Sequence, residues 1–298
     1  MDDIRYITGF EKEFPEKLKE IQNPPAGIYV RGCLPDESKK SVAIVGSRQC
    51  SMYGAKVAEY FGSELAANGV QIISGMACGV DGISQKAALS AGGSTFAVLG
   101  SGPDVIYPKC NESLYEEILN EGGIISEQPP GTAPLPAYFA QRNRIIAALC
   151  DVLLVIEARI RSGTGITVRY ALDQGKDVFA VPGRINDPMS AGTNRLISEG
   201  ALIALNPDCI LRDLFGSDAS AENTSGNESK EKKIPRRAGI AGKEKVIYDL
   251  LDMYPKKTDE LMSLSGLTLQ DVHDALLKLR LCGLAQECGK NNYVRKKL

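Results

Sequence analysis

The sequence predicts an α/β protein built on a doubly wound, mostly parallel sheet, with a small helical domain at its end. Three observations carry this. Apolar runs of three to five residues recur at 42–45, 70–73, 95–99, 123–125, 152–156 and 178–181, as suits strands buried on both faces. Helix-like stretches separate them, at 53–68, 82–91, 113–121, 139–150 and 164–174, and strand–helix alternation argues for a parallel sheet covered on both sides. The pattern stops at 216–242 and returns as helical periodicity over 243–298.

Four regions follow in order. Residues 1–40 are a lead-in with turn signals at Pro24-Pro25 and Gly32, expected to pack on the core. Residues 41–215 form the main domain. Residues 216–242 (GSDASAENTSGNESKEKKIPRRAGIAG) hold almost nothing apolar and are expected to be a flexible linker. Residues 243–298 make the tail domain, with a helix-turn-helix expected within 256–285, turning at Ser265-Gly266. A length of 298 residues suits two domains, and 43% hydrophobic content supports a sizeable core.

Composition narrows the chemistry. The one histidine, His273, lies on a helix-like segment and reads as a surface residue, so histidine-rich metal sites are excluded. The eight cysteines form no CxxC pair and read as reduced thiols of a cytoplasmic protein; no metal or cofactor is expected. The start of the chain lacks a signal-peptide core, and the longest apolar stretch, 145–158, is broken by Asp151 and Glu157, so no membrane insertion is expected.

Each strand runs into small or polar residues: Gly46-Ser47-Arg48, Ser74-Gly75, Gly100-Ser101-Gly102, Ser126-Glu127, Arg161-Ser162-Gly163 and Pro182-Gly183. These gather at the carboxyl end of the sheet, where ligands bind in open α/β folds and helix N-termini favour anions. Gly46 permits a tight turn, Ser47 can donate to a phosphate and Arg48 can grip one with two prongs. Ser74 and Gly75 open a second loop, whose Asp81 is expected to cap the next helix. Gly100-Ser101-Gly102 is an incomplete dinucleotide fingerprint, because Val105 stands where glycine is needed, and no P-loop is present. Arg142-Asn143-Arg144 reads as the start of a helix, where two cations oppose the helix dipole and an anionic partner would compensate. Arg159, Ser162 and Gly163 make the strongest anion-site candidate. Phe139 is placed to flank a base, with Tyr138 beside it. Between Arg142 and Arg195 there are eight Lys/Arg against five Asp/Glu.

Together these segments resemble the DprA/Smf family of DNA-processing proteins. The resemblance runs through AIVGSR (43–48), SMYG (51–54), SGMACGVD (74–81), VLGSGPDVIYP (98–108), Ile125-Ser126-Glu127, FAQRNRIIAAL (139–149), VIEARIRSGTGIT (155–167), VFAVPG (178–183) and GTNRLISEGA (192–201). It implies an extended Rossmann-like domain with a winged-helix-like tail. It also implies binding of single-stranded DNA, homodimerisation, and loading of RecA onto DNA during natural transformation, with single-stranded DNA-binding protein as a further partner. The family's second loop commonly ends in histidine, where this chain has Gln85. That suits a binder better than an enzyme. The runner-up reading is a nucleotide-processing enzyme like the nucleoside monophosphate phosphoribohydrolases, whose loop reads PGGxGTxxE. Here Arg169 stands in place of that glutamate and Arg161 in place of the proline.

The net charge of −2 hides an asymmetry. From Glu228 onward 15 Lys/Arg face 10 Asp/Glu, and the remainder carries 20 against 27. A nucleic-acid site in the acidic part must therefore be locally focused.

Overall fold

A computed structural model describes residues 4–216, 242–252, 255–289 and 291–295. The chain divides into two compact units, Met1–Asn223 and Thr224–Leu298. The expected linker lies almost wholly outside the described residues.

The first unit is built on a nine-stranded sheet in the order β1-β2-β6-β5-β4-β3-β7-β8-β9. The strands are β1 (Arg5–Thr8), β2 (Gly27–Gly32), β3 (Ser41–Val45), β4 (Gln71–Ser74), β5 (Thr95–Leu99), β6 (Gly123–Ser126), β7 (Val152–Val155), β8 (Asp177–Ala180) and β9 (Leu202–Ile203). All pairings from β6 through β9 are parallel. The sheet grows one way from β3 to β6 and the other way from β7, so the topological switch lies between β3 and β7.

Side-chain alternation explains why the predicted strands sit in the middle. Ala43 and Val45 of β3, with Leu153 and Val155 of β7, face one core layer. Val42, Ile44, Val152 and Leu154 face the other. The first layer is closed by α1 (Glu16–Lys19), α5 (Pro136–Leu149) and α6 (Thr164–Asp173). The second is closed by α2 (Met52–Ala67), α3 (Val80–Ser90) and α8 (Pro207–Phe215). Helix α4 (Glu112–Glu121) covers β5 and β6 through Leu114, Tyr115 and Ile118, and α7 (Ala191–Ser198) follows β8. This is the Rossmann-like architecture the alternation predicts.

The lead-in supplies two strands, which the sequence reading did not resolve. β1 pairs with β2, and β2 with β6, both antiparallel. β1 opens on Arg5 and Arg31 interrupts β2, yet Ile28 and Val30 alternate with half-exposed Tyr29 and Arg31, a period of two. The lead-in is also bolted down by charge. Lys17 Nζ lies 2.7 Å from Asp151 Oδ1, and the other carboxylate oxygen accepts from the Ser41 amide at 2.8 Å and hydroxyl at 3.0 Å. Burial acts to raise the Asp151 pKa, but the bonds from Lys17 and Ser41 outweigh it and hold the carboxyl below its usual range.

Helix α5 begins earlier than the sequence reading places it. Pro136 occupies the first turn, so Arg142-Asn143-Arg144 lies in the helix interior rather than at its N-terminus. The dipole argument for an anion at those arginines therefore does not apply. Their charges are met from within the fold. Arg144 is buried and grips Glu127 with two prongs, at 2.6 and 3.0 Å, while its Nε donates to the carbonyl of Asn23 at 2.9 Å.

The second unit contains α9 (Lys243–Leu250), α10 (Thr258–Ser265) and α11 (Leu269–Leu281) with strands β10 (Lys256–Lys257), β11 (Ala285–Glu287) and β12 (Asn292–Arg295). The strands form an antiparallel sheet ordered β10-β12-β11. This succession gives a winged-helix-like fold around Ile247, Leu261, Val272, Leu276 and Tyr293. Gly266, at φ +67°, ends α10, and the Thr268 hydroxyl caps α11 by accepting from the Asp271 amide. His273 is exposed, as expected.

Two substitutions test how the lead-in is held. Arg144→Ala strands Glu127 without its partner and should cost about 3 kcal/mol in urea unfolding. Asp151→Asn should cost about 1–2 kcal/mol at neutral pH. Because the Asp151 pKa is lowered on folding, its contribution is full above the unfolded value of ~3.9 and fades as pH falls through the folded one. The variant should accordingly lose less stability than the parent when titrated into acid. Equal acid limbs would remove Asp151 from the account.

Candidate nucleic-acid interface

A hollow of about 390 Å³ opens at the carboxyl end of the sheet, where β3 and β7 part. Its walls are the β3 loop (Gly46, Ser47, Arg48), the inner face of α5 (Phe139, Arg142, Asn143) and the β7 loop leading into α6 (Arg159, Ser162, Gly163, Thr167). Ligands of open α/β sheets occupy this crevice.

The floor is a buried charge assembly. The Arg142 Nη1 donates to the carbonyl of Gly75 at 3.1 Å and also to that of Val98. Asp81, buried on α3, accepts from the Gly75 amide at 3.1 Å. Burial raises the Asp81 pKa against the pull of Arg142 and of the loop amides. Burial likewise lowers Arg142 to about 10, while Asp81 acts to raise it, so the guanidinium stays charged at neutral pH. Asp81 is not the N-cap expected of it. Gly79 holds the cap position, and the carboxylate instead folds back onto the 74–77 loop. Gly75 is required here, because a Cβ would meet the Arg142 guanidinium at 2.6 Å. Gly79, at φ +80°, lets Ser47 and Arg48 cross within a distance no side chain tolerates.

Several sequence candidates are thus absorbed by the fold. The Ser74 hydroxyl is buried and donates to the carbonyl of Ile44 at 2.6 Å. The Gly75 amide is taken by Asp81. Arg142 lies at the floor, and Arg144 lies away from the hollow with its guanidinium on Glu127. Ser74, Gly75 and Arg144 therefore have no free group to offer a phosphate.

The rim is different. Arg48 and Arg159 are exposed, and no carboxylate among the described residues forms an ion pair with either. Helix α6 starts at the wall with no side-chain cap, and the faces of Gly163 and Gly165 look onto open space. Within its first turn the Gly165 amide donates to the carbonyl of Ser162 at 3.2 Å and the Ile166 amide to that of Gly163 at 3.1 Å, and no side chain covers this end of the helix. By contrast the N-terminus of α2 is stoppered. Glu157, buried beside β7, accepts from the Ser51 amide at 2.8 Å and hydroxyl at 2.5 Å. The position where a dinucleotide fold holds its pyrophosphate is filled by the chain's own carboxylate.

An aromatic pair completes the rim. The Phe139 ring lies 5.6 Å from Tyr107, with Arg48 5.6 Å and Arg142 5.9 Å from its centroid. Gly100 makes room for that ring, since a Cβ there would meet it at 2.7 Å, so the glycine of the incomplete fingerprint serves packing. Tyr107 was not among the sequence candidates; a tyrosine before Pro108 gives no periodic signal. Tyr138 does not line the hollow. Among the lining residues Asp81 is the one carboxylate, and Arg169 is exposed, 3.7 Å from Asp173.

Known proteins place this geometry. The family model for DNA recombination-mediator protein A matches residues 5–215. The DNA processing protein DprA of Streptococcus pneumoniae is 44% identical over 200 residues, covering 67% of this chain and 71% of the relative. Its X-ray structure superposes with a TM-score of 0.68 at 40% identity, over 71% of this chain and 75% of that one. The DNA processing protein A of Helicobacter pylori, solved for its single-stranded DNA binding mode, gives 0.63 at 32% identity, over 72% and 99%. By the reach of the family model, and by its likeness to both proteins in sequence and fold, the chain belongs to the DprA/Smf family of recombination mediators.

Proposed function

We propose that the chain binds single-stranded DNA in the hollow at the sheet's switch point and delivers the strand to RecA without chemically altering it. The observation that carries this reading is the rim: two exposed arginines free of carboxylate partners, facing an uncapped helix N-terminus. Phosphates would be held by Ser47, Arg48, Arg159 and Ser162, and by the backbone at Gly46 and Gly163, with Asn143 beside them. The buried Arg142 contributes potential from below. The Phe139 face, flanked by Tyr107, is sized for a base. The H. pylori relative's single-stranded DNA binding supports the ligand class.

A binder rather than an enzyme is supported by the committed state of the one lining carboxylate. Asp81 is buried and engaged with the 74–77 loop amides, and Arg169 leaves the phosphoribohydrolase acid unfilled. RecA loading during DNA uptake and recombination, homodimerisation and contact with single-stranded DNA-binding protein complete the reading by family membership. The tail would serve protein contacts, because the acids of α11 repel phosphates and two of its charges are met internally, Asp271 by Lys243 and Lys278 by Glu244.

Titrating the full chain with fluorescent oligo-dT at low salt tests this. Binding should weaken steeply as salt rises, by a slope of about 0.7 per phosphate neutralised. Arg48→Ala and Arg159→Ala should each weaken binding about tenfold and lower the slope by about one contact, with stability changed by less than ~0.5 kcal/mol. Unchanged affinity in both variants would place the strand elsewhere, and no binding at all would end the reading.

A further inference from the structure

Beside the main hollow lies a smaller one of about 70 Å³, lined by Arg48, Gly75, Cys78, Tyr107, Phe139 and Arg142 among others. One of its walls is the loop between β4 and α3. Against that loop packs the segment that carries Tyr107 and the 3-10 turn Lys109–Asn111. The two are held in register by Asn111, whose Nδ2 donates to the carbonyls of Met76 at 2.9 Å and Ala77 at 3.2 Å. Each segment contributes a cysteine, and the sulfurs of Cys78 and Cys110 meet at 2.7 Å. Cys110 is exposed and Cys78 half-buried, so small reagents reach the pair. The buried Cys150 is the contrast: burial raises its thiol to about 11 and leaves it inert.

We propose that Cys78 and Cys110 form a reversible disulfide that braces the aromatic wall of the site. The oxidant is a small-molecule disulfide such as oxidised glutathione. Cys110, the exposed thiol, attacks it as the thiolate; the S–S bond breaks and one glutathione thiolate leaves. The Cys78 sulfur then gives up its proton and attacks Cys110 Sγ, expelling the second glutathione. Two protein thiols become one disulfide, one glutathione disulfide becomes two thiols, and the two protein protons end on those leaving thiols. The Cys78 thiol is pushed up, first by its hydrogen bond to Cys110 and then by burial, against a smaller pull from Arg48. Cys110, the more exposed of the two, is the first attacker. Because Asn111 already ties the two segments together, the sulfurs start in contact.

The cross-link would tie the Tyr107 segment to the loop under Arg142 before DNA arrives, so less order has to be acquired on binding. This second step rests on the single-strand reading above.

The full-length protein is incubated with excess oxidised glutathione, remaining thiols are alkylated, and the products are mapped by mass spectrometry. The expected result is a peptide pair joined through Cys78 and Cys110, reversed by dithiothreitol. Cys78→Ser should instead trap glutathione on Cys110, and Cys110→Ser should yield no cross-linked pair. Two unmodified thiols in the parent, stable glutathione adducts, or pairing with another cysteine would overturn the proposal. Oligo-dT affinity is then compared between oxidised and reduced parent, with about threefold tighter binding expected on oxidation. Equal affinities would overturn the bracing role while the mapping upholds the bond. If neither form binds, the single-strand reading and the bracing role fail together, and the thiol map still decides the disulfide.

Discussion

The site depends on one buried cation. Placing a guanidinium in the interior is costly unless its charge and its N–H groups are answered, and Arg142 is answered from three elements at once. Asp81 supplies the charge from α3, while the ends of β4 and β5 supply the carbonyls of Gly75 and Val98. Helix α5 is thereby fixed against the carboxyl edge of the sheet, and the Phe139 ring it carries comes to lie over the switch point. The Arg142 Nε has no partner among the described residues, which is the one open term in this arrangement. The positive floor of the hollow is a by-product of the same contact, since Arg142 keeps its proton far above neutral pH.

A division of labour among arginines follows. Arg142 and Arg144 are consumed in holding α5, whereas Arg48 and Arg159 stand on loops whose geometry they do not maintain. The same division applies to the two helix N-termini that flank the crevice. One is filled by Glu157 and fixes the turn after β3; the other, at α6, takes no carboxylate and no side-chain cap. An acidic unit can bind a polyanion this way, because the attraction is confined to a cleft where the chain's own carboxylates are already spoken for.

The fold was largely legible in the sequence, because strands buried on both faces leave uninterrupted apolar runs such as Val42-Ala43-Ile44-Val45. β1 and β2 were not, since β1 is a four-residue edge strand and Arg31 interrupts the short apolar run of β2. At the site, residue types were readable and their partners were not. Arg142-Asn143-Arg144 looked like paired phosphate ligands because nothing local neutralises them. Their counter-charges sit on Asp81 and Glu127, remote in sequence and brought near only by the sheet. Pro136 was the available signal that α5 starts earlier and that the triplet lies in its interior.

Gln85 shows what the family's usual histidine position requires in this chain. The residue is fully buried beneath the second loop, where Met76 adopts φ +53°. Its Oε1 accepts from the Met76 amide at 3.1 Å, and its Nε2 donates to Thr95 Oγ1 at 3.2 Å and to the carbonyl of Phe96 at 3.1 Å. A neutral imidazole offers one donor and one acceptor, so it could satisfy two of these three bonds; the amide satisfies all three. The demand at this position is for fixed hydrogen bonding that holds a strained turn under Gly75, and the turn in turn positions the carbonyl that Arg142 grips. A residue that cannot titrate meets that demand at every pH at which the protein is folded.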